Sequence, residues 1–260
     1  TLARITYQRF FRRYLRLSGM TGTAKEVAGE LHAVYGLEVV TIPTNRPCIR
    51  VREPDRCCPD ADAKWQAVAA EAARLRQNNV PLLIGTRSLE ASEQLAAVLK
   101  QLDLPHRVLN ARQDAEEAEI VAEAGLPGMI TVATNMAGRG TDIRLGCGVA
   151  EAGGLHVILT EFHDSPRVDR QLIGRCARQG DPGDAIAIVA FDDALFREHG
   201  GWLYRLLART LGHNPPRPLL HLLRRRCQRA AERIHGRERR DTLKQDRDLD
   251  NLLAFAGNQI

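Results

Sequence analysis

No apolar run in these 260 residues approaches the roughly 20 needed to cross a bilayer, and the start, Thr1-Leu-Ala-Arg, lacks a signal-peptide layout. Neither a membrane-spanning helix nor a secretory leader is expected. Aromatics make up only 5% of the chain, which argues against the stacking platforms that single-strand nucleic-acid binders add to a basic groove. The six cysteines, Cys48, Cys57, Cys58, Cys147, Cys176 and Cys227, form no Cys-x-x-Cys pair and have no histidine at zinc spacing. Reduced thiols and no metal site are expected. A phosphate loop is also missing, since no stretch carries its Gly-Lys-Ser/Thr ending. The nearest approach, Gly19-Met-Thr-Gly-Thr-Ala-Lys25, has Ala24 where the second glycine belongs and Glu26 where the magnesium-holding hydroxyl belongs.

What the chain does contain is enough apolar residue, 44%, to bury a core in one or two domains. It reads as a globular protein and, starting without Met, as a piece of a longer one. Charge is lopsided. Residues 201–260 hold 13 basic and 6 acidic side chains, more than the whole net charge of +5. Arg224-Arg-Arg226, Arg229, Arg233, Arg237, Arg239 and Arg240 form a patch that can attract anionic lipid or nucleic acid. Leu219, Leu220, Leu223, Cys227, Ala230, Ala231 and Ile234 run beside it at helical spacing, so a solvated helix face opposite a buried stripe explains the pattern without any ligand.

The most informative segments are Thr134-Asn-Met-Ala-Gly-Arg-Gly-Thr-Asp142 and Gln171-Leu-Ile-Gly-Arg-Cys-Ala-Arg-Gln-Gly-Asp181. Each adjoins a β-branched apolar run, which predicts that both sit at the carboxyl ends of parallel strands, where open α/β sheets place their ligands. Guanidinium groups fork onto phosphate oxygens, and Gly138, Gly140 and Gly174 let backbone approach closely or turn sharply. Gln171, Arg175 and Arg178, spaced i, i+4 and i+7, are expected on one face of a helix over Ser165 to Arg178.

Between Leu37 and Phe191 strand-like and helix-like segments alternate, the signature of a parallel sheet built from βαβ units. Strands are expected at Glu38 to Ile42, Pro81 to Gly85, His106 to Leu109, Met129 to Ala133, His156 to Thr160 and Ala185 to Ala190. Helices are expected at Ala61 to Gln77, Ser88 to Leu102 and Gln113 to Glu123, with Ser88 and Asp114 as caps. After Phe196 the pattern is leucine- and arginine-rich helix, broken at Gly212 and Asn214-Pro-Pro-Arg-Pro218. Trp65, Tyr7 and Phe10 are expected to fill core. His156 and His163, with no second ligand at metal spacing, are read as hydrogen-bonding residues, and Cys176 as a packed residue.

Six segments then occur in a familiar order: Gly19-Met-Thr-Gly-Thr-Ala24, Thr44-Asn-Arg-Pro47, Gly85-Thr-Arg-Ser-Leu-Glu90, Thr131 to Asp142, Gly153-Gly-Leu-His156 and Gln171 to Gly183. Over nearly its whole length the chain resembles SecA, the family of bacterial preprotein translocase ATPases. The resemblance implies an α/β, RecA-like parallel sheet of the superfamily-two helicase type, flanked by helices and followed by a C-terminal helical segment. Residues 1–43 would end a first nucleotide-binding domain, 44–196 would be the complete second one, and 197–260 would begin a helical scaffold. ATP with Mg2+ would be held mainly by the domain preceding Thr1, which would carry the phosphate loop and the magnesium-holding acidic motif. Arg175 and Arg178 match the family's arginine fingers. Asp142, Arg139, Gly140, Gly138 and Gln171 match its nucleotide contacts, and Thr21, Gly22 and Thr23 match residues that couple nucleotide state to domain closure.

The partners implied are the first nucleotide-binding domain, a membrane protein-conducting channel and unfolded preprotein, with the protein cytoplasmic and peripheral to the membrane. Nucleic acid is disfavoured as a partner. The chain departs from the family where Gly-Arg-Ser-Gly-Arg is usual and Gly174-Arg-Cys-Ala-Arg178 stands, and where Glu-Arg-His-Glu-Ser-Arg-Arg is usual and Glu161-Phe-His-Asp-Ser-Pro-Arg167 stands. Asp164 is a conservative change; Cys176, Ala177, Phe162 and Pro166 are the larger departures, and two arginines are lost with them. A superfamily-two nucleic-acid helicase and a non-catalytic SecA-like partner-binding module are the alternatives.

Overall fold

The computed structural model describes residues 5–109, 114–134, 141–211 and 215–257. Two compact units emerge, one of residues 1–43 with 230–260, the other of residues 44–229.

The first unit carries two short helices, α1 (Tyr7–Phe11) and α2 (Ala28–Tyr35), the latter closed by Gly36 in the left-handed region. Arg239 ion-pairs with Glu30, and Thr6 hydrogen-bonds Asp246. Tyr7 and Phe10, expected in the core, are 83% and 42% exposed and instead join a surface ring cluster with Phe11 and Tyr14. The strand expected at Glu38 to Ile42 does not form. Its apolar side chains Val40 and Ile42 are exposed, and among the described residues the segment pairs with no strand. Alternation alone does not make a strand without a partner to hydrogen-bond.

The second unit holds the sheet: β1 (Val51–Arg52), β2 (Arg56–Cys58), β3 (Leu82–Thr86), β4 (Arg107–Leu109), β5 (Ile130–Thr134), β6 (Leu155–Leu159) and β7 (Gly183–Ala190). Every pairing is parallel, in the order β1-β7-β6-β3-β5-β4, with β2 also on β7. The α/β, RecA-like class expected from the sequence is the one observed. β3 and β6 are buried along their whole length, as unbroken apolar runs in a sheet covered on both faces must be. β1 and β2 escaped the sequence reading because their residues are charged or short, and only register against β7 makes them strands.

The crossover helices are α3 (Ala61–Gln77), α4 (Leu89–Gln101), α5 (Asp114–Glu123) and α6 (Pro166–Ile173), followed by α7 (Ala194–His199), α8 (Gly201–Leu211) and α9 (Arg217–Gly257). α3 starts where Asp60 accepts the Ala63 N–H, and α4 where Ser88 accepts that of Ala91. Trp65, Val68, Ala69, Ala72 and Leu75 line the buried face of α3 against Leu82, Ile84, Ile130, Val132 and Ile186. The cap expected at Asp114 for α5 lies outside what is described, because residues 110–113 and its own side chain do. On α9 the stripe Leu220, Leu223 and Cys227 is buried, while Arg225 and Arg229 face solvent. Among the described residues no helix is long and apolar enough to cross a membrane.

Candidate functional site

The helix expected over Ser165 to Arg178 stops at Ile173. Pro166 occupies its first turn, where a missing N–H costs nothing, and the Gly174 N–H closes it by donating to Arg170 O at 2.7 Å. Arg175 and Arg178 therefore lie on a turn beyond the helix and not on one face with Gln171. That turn bends because Ala177 and Gln179 take positive φ, +50° and +54°, followed by Gly180 at +85°. It is nailed down by Cys176, fully buried, whose Sγ lies 3.2 Å from both Ile173 O and Asp184 O, so its single S–H is shared between the two carbonyls. Burial pushes that thiol up to about 11, so it is a packing and hydrogen-bonding group, not a nucleophile.

This geometry moves the site to the opposite end of the sheet from the one expected. α6 runs back from the end of β6, and the turn abuts the first residues of β6 and β7: a Cβ on Gly183 would lie 2.9 Å from Ala177 N and 3.0 Å from Leu155 O. Beyond the other segment, Gly146 N donates to Gly125 O ahead of β5, and Asp142 itself meets Arg178. Both stretches belong to the amino ends of the strands by Asp142 and Arg178, although the first leaves β5 at its carboxyl end. The rule placing ligands at carboxyl ends describes a sheet that holds its own nucleotide.

Two of the expected residues meet directly. Arg178 Nη1 donates to Asp142 Oδ1 at 2.8 Å, its Nε donates to Gly174 O at 2.8 Å, and Gln179 Nε2 reaches Asp142 Oδ2 at 3.2 Å. Arg175 joins them on the wall of a cavity of about 670 Å3 that Arg144 and Asp181 also line. Gln171, on α6, is not among the described residues lining it. Gly138, Arg139 and Gly140 lie outside the described residues. Thr21, Gly22 and Thr23 belong to the first unit, where Thr23 N donates to Thr21 Oγ1 at 3.3 Å.

His163 is a hydrogen-bonding residue, as expected. Its Nδ1 lies 2.8 Å from Asp169 Oδ1, and Gln228 Nε2 bonds both His163 O (3.0 Å) and Asp169 Oδ2 (2.8 Å), fixing the foot of α6 to α9. His156 is different. The fold sets Glu53 and Asp184 beside it, one ligand atom of each mutually within 4.8 Å, although sequence spacing gave His156 no such neighbours. Its Nδ1 touches Asp184 Oδ1 without hydrogen-bond alignment. Arg74, whose proton is held by its bond to Glu71 and by the charges of Glu71, Glu53 and Asp184, supplies the local countercharge.

Comparison with known proteins now bears on these residues. A family described as the SecA P-loop domain matches residues 47–150 and 147–214, and one described as the SecA DEAD-like domain matches residues 1–32. The chain belongs to the SecA family. It is 52% identical over 99% of its length to protein translocase subunit SecA 2 of Nitrosospira multiformis, covering 39% of that protein. It is 46% identical over 97% of its length to protein translocase subunit SecA of Nitratidesulfovibrio vulgaris, covering 30% of it. The chain thus spans only about two fifths or less of these relatives. Among solved structures, the yeast DEAD-box splicing factor Prp28 aligns at a TM-score of 0.47 with 18% identity, over 80% of this chain and 44% of that one, too partial an overlap to carry weight.

The departures from the usual SecA pattern have local accommodations. Phe162 is buried against Phe196 and carries the Arg224 guanidinium 4.7 Å over its ring. Asp164 pairs with Arg87 at 2.9 Å. Ala177 is the strained one, since it holds a left-handed conformation where the family usually has glycine. Ala177→Gly is expected to raise stability by about 1 kcal/mol, the size of a relieved left-handed alanine. Urea unfolding of both chains checks this; an unchanged or lower midpoint would refute it.

Proposed function

We propose that this chain is the second nucleotide-binding half of a SecA-type motor that couples ATP hydrolysis to movement of unfolded protein across the bacterial cytoplasmic membrane. The observation that carries the reading is the meeting of Asp142 and Arg178 beside Arg175 on one cavity wall, away from the carboxyl ends of the strands. A cationic face there suits a nucleotide held by another domain, and Arg175 and Arg178 serve as its fingers. Phosphoryl transfer needs positive charge near the γ-phosphate as the bond breaks, and a finger supplies it without coordinating Mg2+ itself. In the resting arrangement Asp142 holds Arg178; bound phosphate, a stronger fork partner, draws the guanidinium away and leaves the carboxylate to a second nucleotide contact. Gly138, Arg139, Gly140 and Gln171, which match the family's nucleotide contacts, are proposed as further contacts to the nucleotide. Thr21, Gly22 and Thr23 couple it to closure, with residues 1–43 ending the first domain, 44–196 forming the second and 197–260 opening the scaffold. The protein works at the cytoplasmic face of the membrane, with the channel, preprotein and anionic lipid as partners.

Two measurements test this. The 260-residue chain alone should show no ATP turnover with Mg2+, because its fingers act on phosphates it does not hold. The intact protein should hydrolyse ATP faster in the presence of unfolded preprotein and channel-bearing vesicles. Stimulation by single-stranded RNA in their place would make the protein a helicase, and no nucleotide response in any arm would make it a partner-binding module.

A further inference from the structure

The arginine turn raises a problem that its own backbone solves only in part. A helix that stops leaves carbonyls without donors; here Arg175 N donates to Leu172 O, Cys176 N to Ile173 O and Asp181 N to Arg178 O, and other carbonyls of the turn are met by side chains. Gly174 O is taken by Arg178 itself at 2.8 Å. The next carbonyls are taken from outside the turn, by three side chains of a single segment. Arg50 donates twice to Cys176 O, from Nε at 3.1 Å and Nη2 at 2.8 Å. Cys48 Sγ lies 4.0 Å from Ala177 O, and Arg46 Nη1 donates to Gln179 O at 3.3 Å. The Arg46 stem also packs on Gly180, where any Cβ would come within 2.9 Å of its Cδ. Residues 46–50 thus bind the carbonyls of residues 176, 177 and 179 while the side chains on either side of Cys176, those of Arg175 and Arg178, remain on the cavity wall.

We infer that Arg50 is a positioning residue for the two fingers, an inference that rests on the reading of Arg175 and Arg178 given above. Its guanidinium is not on the wall of the cavity that Arg175, Arg178 and Asp142 share, and it grips backbone midway between the fingers. Lysine cannot replace it, because one ammonium does not reproduce two converging N–H donors from a planar group. The same segment follows Pro43, where the chain passes from the first unit to the second, so the residues that enter the second unit are the ones that set the finger turn.

The test is steady-state ATP hydrolysis by the intact protein carrying Arg50→Lys, Arg50→Ala, Arg178→Ala or the double substitution Arg50→Ala with Arg178→Ala. A finger displaced by about 1 Å can lose on the order of 100-fold, so both Arg50 variants should lose about 10- to 100-fold in kcat with KM for ATP changed less than about threefold. The double variant should be slower than Arg178→Ala alone by less than the full Arg50→Ala loss, because the share of that loss carried by Arg178 is already gone and only Arg175 remains to be displaced. Millimolar guanidinium should restore part of the Arg50→Ala rate and none of the Arg178→Ala rate in the double variant. Wild-type kcat in both Arg50 variants beside a slow Arg178→Ala would overturn the inference while leaving the fingers standing. So would additive losses in the double variant, or a raised KM at unchanged kcat, which would make Arg50 a nucleotide contact. A wild-type rate in Arg178→Ala would overturn the finger reading itself, and the positioning role with it. Matched melting curves separate all of these from failure to fold, and Arg50→Lys, which keeps the charge and most of the volume, supplies the comparison if Arg50→Ala unfolds.

Discussion

Arg178→Ala in the intact protein is expected to lower kcat for ATP by at least about 1,000-fold, the lower end of what an arginine finger contributes. The fold should survive the change, because the Arg178–Asp142 pair is 38% exposed on both sides and such pairs add little stability. Arg178→Lys should recover only a small part of the rate, since a point charge replaces a fork. Asp142→Ala separates the two partners of the pair: it frees Arg178 from its resting partner but removes a nucleotide contact, so KM should rise more than kcat falls. Single-turnover hydrolysis with ATP in excess of KM reads the first effect, and a titration of nucleotide affinity reads the second. A kcat within tenfold of wild type in Arg178→Ala would mean that the arginine cluster is structural.

Much of the second unit was legible because its strands are long, apolar and buried on both faces. β3, β5, β6 and β7 came within two residues of their expected starts, and α3 matched at both ends. The failures share a cause. Val40 and Ile42 alternate like a strand but have no paired neighbour among the described residues, while Val51–Arg52 and Arg56–Cys58 lack a strand pattern yet pair with β7. Pairing is a property of two segments, and single-segment periodicity cannot report it.

The grouping of the candidate site residues was partly legible, and the end of the sheet where Arg178 and Asp142 meet was not. Arg175, Arg178 and Asp142 do share a wall, but the helical spacing that grouped the arginines with Gln171 is not what brings them together. Gly174 ahead of Cys176 and Ala177 could have signalled the stop, since glycine near a helix end is a common terminator. The role of Arg46 and Arg50 was not readable, because their acceptors are backbone carbonyls more than 125 residues away in sequence. Arg46, inside the Thr44-Asn-Arg-Pro47 stretch, is the first residue of a clamp that continues to Arg50.

The same blindness hid the most deeply buried lysine, arginine or carboxylate among the described residues. Lys64 sits on α3 at 2% exposure, its Nζ 2.7 Å from Asp193 Oδ1, 3.6 Å from Glu161 and 4.5 Å from the Trp65 ring centroid. Asp193 Oδ2 also accepts the Ala190 N–H at 2.9 Å, joining the end of β7 to the start of α7. Burial raises the Asp193 carboxyl to about 6 against the opposing pull of Lys64, with Glu161 pushing the same way as burial. A carboxyl raised on folding favours the folded state fully below its unfolded value near 3.8, and that contribution is lost as pH climbs through about 6. At neutral pH the ionised carboxylate therefore depends on Lys64. Lys64→Met keeps the length and removes the charge, leaving Asp193 buried without its cation, and should cost about 3–5 kcal/mol at pH 7.5. The penalty should shrink at pH 5, where Asp193 takes up a proton and no longer needs a countercharge. Adding Asp193→Asn to Lys64→Met should recover part of the loss at pH 7.5 and little at pH 5. Urea unfolding of the three chains at both pH values decides it. An equal penalty at the two pH values, or a larger one at pH 5, would show that Lys64 stabilises by packing on Trp65 and not by its charge.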